Sequence, residues 1–60
     1  MTDSALTALD RIWKEKAIAA RNKITWSGVS YDNVDAVIFY GDYGGAIALA
    51  NMYIERHKKT

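Results

Sequence analysis

The sequence predicts a small all-α domain of three helices, expected to be oligomeric, with a helix–hairpin–helix order (α-β-β-α) as the alternative. Three observations carry this. Proline is absent, so no position is barred from helix. Apolar residues recur at three- and four-residue steps along the first third of the chain. Glycine interrupts the chain at Ser27-Gly28 and again in the cluster Gly41-Asp42-Tyr43-Gly44-Gly45. Residues 1–60 make one domain at most.

Ser4–Asn22 is the first predicted helix. Leu6, Leu9, Ile12, Trp13, Ala17 and Ala20 form its apolar stripe. Asp3 or Ser4 would cap its start by accepting from a free backbone amide. Asp10–Lys14 and Arg11–Glu15 are i,i+4 pairs, each contributing about 0.2–0.5 kcal/mol on an exposed face. Arg21 and Lys23 suit the negative end of the dipole, and Asn22 suits a left-handed closing residue.

Lys23–Val29, KITWSGV, reads as a connector or short strand. The next segment carries two patterns. As a helix capped by Ser30, it puts Tyr31, Val34, Val37 and Ile38 on one face and Asp32, Asn33 and Asp35 on the other, with the early aspartates at the positive end of the dipole. As a strand, Val37-Ile38-Phe39-Tyr40 is four β-formers in succession, able to pair with Ile24–Trp26. The helix is preferred because its two faces separate cleanly. Asp42 then caps a final helix from Tyr43 to about His57, with basic residues in its last turn.

Size and composition bound the function. A chain of 60 residues buries only about 60% of its unfolded surface, so it calls for a disulfide, a metal or association. It has no cysteine, which removes disulfides, thiolate metal sites and thiol catalysis. A lone histidine, His57, cannot build a metal cluster, so neither metal nor cofactor is expected. Association remains, and a homo-oligomer is the expectation. MTDSALTALD is no basic leader followed by an apolar run, which points to an intracellular, reducing, cytoplasmic setting.

Charge is nearly balanced but uneven. Residues 1–23 carry Arg11, Lys14, Lys16, Arg21 and Lys23 against Asp3, Asp10 and Glu15. Residues 24–55 hold no lysine or arginine, but contain Asp32, Asp35, Asp42 and Glu55. Six of the seven aromatics lie in that acidic stretch: Trp26, Tyr31, Phe39, Tyr40, Tyr43 and Tyr53. Arg56, Lys58 and Lys59 close the chain.

Four attractive functions are disfavoured by these residues. VIFYGDYGGAIALA has the layout of a strand, a glycine turn and a helix whose free amides would face a phosphate. Its spacing is not G-x-G-x-x-G, no lysine follows, and Asp42 sets a negative charge where the anion would sit. A helix-turn-helix reading places the last helix in the major groove, but there Asn51 is the only base-reading side chain, among Ala46, Ile47, Ala48, Leu49, Ala50 and Met52. Helix 1 and the tail still offer basic residues to phosphates. For catalysis, His57 falls in the basic last turn, where a surface role is expected, and capping and solubility explain Asp32, Asp35 and Asp42 more simply than a shared acidic face, so the chain is expected to be non-catalytic. A membrane span over Val34–Ile54 would bury Asp35, Asp42 and Asn51, at about 2.5–3.5 kcal/mol for a mid-membrane aspartate.

Association fits better. The last helix is apolar almost all round and needs cover on several sides, with Gly45, Ala48, Leu49, Met52 and Tyr53 as the expected oligomer interface. The acidic aromatic segment, Trp26, Tyr31, Asp32, Asp35, Phe39, Tyr40, Asp42 and Tyr43, is the expected partner-binding surface. Aromatic side chains bury large area at small entropy cost, and the aspartates steer toward a basic partner. The expected function is a small inhibitor or adaptor that binds another protein. Regulators of the kind carried by phages and mobile elements share this size, and a helix-turn-helix-like DNA-binding transcriptional regulator is the alternative.

Overall fold

A computed structural model describes residues 2–59, with side chains from residue 7 onward. Three helices follow in order: α1 (Thr2–Asn22), α2 (Gly28–Phe39) and α3 (Tyr43–Lys59). Among the described residues there is no strand, so the three-helix expectation holds.

The ends of the helices explain their limits. α1 starts at Thr2, ahead of the proposed caps Asp3 and Ser4, whose side chains lie outside the described residues. It does not close through a left-handed Asn22, because no described residue other than glycine has positive φ. Instead Lys23 N–H donates to the Ala20 carbonyl at 3.2 Å and Ile24 N–H to the Arg21 carbonyl at 3.0 Å, tightening the last turn. α2 begins three residues earlier than its spacing suggested. Ser27, extended at φ −149°, is the cap: its Oγ accepts from Ser30 N–H at 3.2 Å, so Ser30 is the capped residue and not the cap. That shift also takes Asp32 out of the first turn, which holds no acid.

α2 ends where its glycine allows. Gly41 has φ 89°, in the left-handed region; its N–H donates to the Ile38 carbonyl at 2.9 Å, and Asp42 N–H donates to the Val37 carbonyl at 3.2 Å. This pair of reverse bonds is a Schellman closure. Asp42 then acts at once as the cap of α3, its Oδ1 accepting from Gly45 N–H at 3.0 Å. Two residues therefore close one helix and open the next, leaving no slack in the joint. The capping role expected of Asp42 holds. α3 runs to Lys59, slightly past His57, with Arg56, His57, Lys58 and Lys59 in its last turn.

The core is small. Ala17, Ala20 and Ile24 meet Val34 and Ile38 of α2 and Ala46 and Ala50 of α3, and Val34 is the largest side chain wholly enclosed. Val34 and Ile38 lie one turn apart, so a helix buries both on one side. This is why a run rich in β-formers stays helical: tertiary packing overrides a weak local preference. Alanines at Ala17, Ala20, Ala46 and Ala50 let the helix backbones approach closely.

α3 runs beside α1 in the same direction. Tyr43 at its start lines one cleft with Lys14 and Phe39, while His57 near its end stacks on Trp26, just past the end of α1. The two helices are thus staggered. At about 1.5 Å per residue α1 is roughly 31 Å long and α3 roughly 25 Å, yet the molecule extends 47 Å. Among the described side chains of α1, residues 7–16 are exposed, ahead of the part that packs in the bundle. The apolar stripe therefore does not sit wholly in the core. Ala17 and Ala20 are buried, but Leu9, Ile12 and Trp13 remain 52%, 49% and 43% exposed; Leu6 lies outside the described side chains.

Candidate functional site

The joint between α2 and α3 presents the most exposed aromatic surface. Phe39 and Tyr40 are 89% and 86% exposed, with ring centroids 6.4 Å apart in an edge-to-face arrangement. Backbone hydrogen bonds at both ends of the joint fix them: Tyr40 N–H donates to the Ala36 carbonyl at 3.1 Å, and Gly41 and Asp42 close the turn after it. Nothing in the fold requires two large rings there. Ile38, one residue earlier, supplies the buried contact.

The other residues of the acidic aromatic segment are divided between surface and scaffold. Asp42 is exposed but committed to the α3 cap. Asp35 pairs with Arg21 of α1, whose guanidinium also lies 5.1 Å from the centre of the Tyr31 ring. Arg21 thus binds α1 to α2, in addition to standing near the end of the α1 dipole, and Tyr31 is half-buried beneath it. The i,i+4 pairs Asp10–Lys14 and Arg11–Glu15 do not close to ion-pair distance. Asp32 is exposed. Tyr43 is half-buried at the start of α3, against the cleft formed with Lys14, Asp35, Ile38 and Phe39.

Trp26 serves a different end of the molecule. Its ring is stacked on His57, 4.0 Å between centroids and 6° from parallel. The contact ties the α1–α2 connector to the last turns of α3, and it covers one face of the otherwise exposed His57 ring. Residue spacing gave no sign of it, because the two are 31 positions apart in sequence.

On α3, three of the five residues of the expected oligomer interface, Gly45, Leu49 and Tyr53, are half-buried. Tyr53 Oη accepts from Asn33 Nδ2 of α2 at 3.1 Å. Gly45 lies beneath the Asp42 carboxylate, where an added Cβ would come within 2.2 Å of Oδ2. Ala48 and Met52 point outward, with Asn51 and Glu55 beside them. The all-round apolar character of α3 is accounted for by its position: α1 and α2 both pack on it.

The sequence reading missed the exposure of the α1 overhang. Thr7, Leu9, Asp10 and Trp13 line a shallow groove on it, and the Lys16 ammonium sits 5.2 Å from the centre of the Trp13 ring. The signal was present in helix length: an apolar stripe of this extent is longer than α2 can cover. Among the described residues no group of three or more histidine, cysteine, aspartate or glutamate side chains is placed to hold a metal ion. No described helix is long and apolar enough to cross a membrane. No known protein family, curated protein or solved structure matches the chain.

Proposed function

We propose that this chain is a non-catalytic, cytoplasmic interaction protein that binds another protein, as an inhibitor or adaptor, through the α2–α3 joint. The observation that supports this is the exposure of Phe39 and Tyr40 at 89% and 86%, side by side on a joint with no slack. Large aromatic side chains on a fixed backbone have few rotatable bonds to freeze on docking, and such residues dominate binding energy at protein interfaces. Asp42 beside them and Asp32 on the same helix favour a partner with a basic rim.

DNA binding is the weaker reading. In a helix-turn-helix, α3 would read bases, but before its basic last turn (Arg56, His57, Lys58 and Lys59) its exposed side chains are Ala48, Asn51, Met52 and Glu55. That face offers one base-reading side chain beside an acid.

The test is capture of the partner from native lysate by the full chain, compared with two variants. Phe39→Ser/Tyr40→Ser loses the captured protein, while Lys58→Ala keeps it. Capture that survives the loss of both rings defeats the proposal. So does tight binding to duplex DNA that falls steeply with salt and weakens in Lys58→Ala.

A further inference from the structure

We draw no further inference here: the strongest candidate, the exposed apolar face of α1 at Leu9, Ile12 and Trp13, is an unpartnered surface patch, and nothing in the structure shows what covers it.

Discussion

Gly45 should respond to substitution in opposite ways depending on whether Asp42 is present. In an exposed helix, glycine to alanine stabilises by about 0.8–1.0 kcal/mol, because the backbone loses less freedom on folding. At Gly45 that gain meets an obstacle. An added Cβ would lie 2.2 Å from Asp42 Oδ2 and 2.7 Å from its Cγ, so the carboxylate must leave, and its hydrogen bond from Gly45 N–H goes with it. Losing an aspartate cap costs about 1 kcal/mol, within a range of roughly 0.5–2. Gly45→Ala alone should therefore change stability by about zero, or lower it slightly.

In an Asp42→Ala background the cap is already gone and nothing obstructs the new methyl group. There Gly45→Ala should stabilise by about 0.8–1.0 kcal/mol, a gain of some 4–8 °C in Tm for a domain of this size. The cycle of four proteins gives a coupling energy of about 1 kcal/mol. Urea denaturation followed by far-UV circular dichroism measures it, at one fixed protein concentration because association would add to apparent stability. The same gain of about 1 kcal/mol in both backgrounds would refute the steric link between Gly45 and the cap.

Four further outcomes can be measured by the same methods. Gly41→Ala forces a side chain into the left-handed region at φ 89° and should cost about 1–2 kcal/mol. Val34→Ala opens a cavity at the largest wholly enclosed side chain among the described residues and should cost about 2 kcal/mol, lowering Tm by roughly 10 °C. His57→Ala removes the ring stacked on Trp26 and should cost about 0.5–1.5 kcal/mol, with Trp26 emission moving to the red in a Trp13→Phe background. Phe39→Ser/Tyr40→Ser should leave stability within about 0.5 kcal/mol, as expected of side chains that touch little of the fold.

What was legible in the sequence was local. The three helices follow from periodicity and from glycine, and Asp42 as a cap follows from its place before an apolar run. The start of α2 was misplaced by three residues because both Ser27 and Ser30 are good caps. The choice fell to Ser27, whose Oγ accepts from Ser30 N–H and whose carbonyl accepts from Tyr31 N–H, so that the helix gains a full turn ahead of Tyr31. What could not be read was relative position. Stripe composition says that a face is apolar, but not how much of it a neighbour reaches. Leu9 and Trp13 look identical in kind to Ala17 and Ala20, yet the stagger of α1 against α3 leaves the first pair outside. The Arg21–Asp35 pair and the Trp26–His57 stack are likewise products of packing between helices.

The stagger has a physical origin. The residues that α1 and α3 bring to the core are alanines, Ala17 and Ala20 on α1 and Ala46 and Ala50 on α3, and such short side chains leave a narrow seam between two helices. The bulkier Leu9 and Trp13 lie outside that seam, because α3 begins near Lys14, with which Tyr43 lines one cleft.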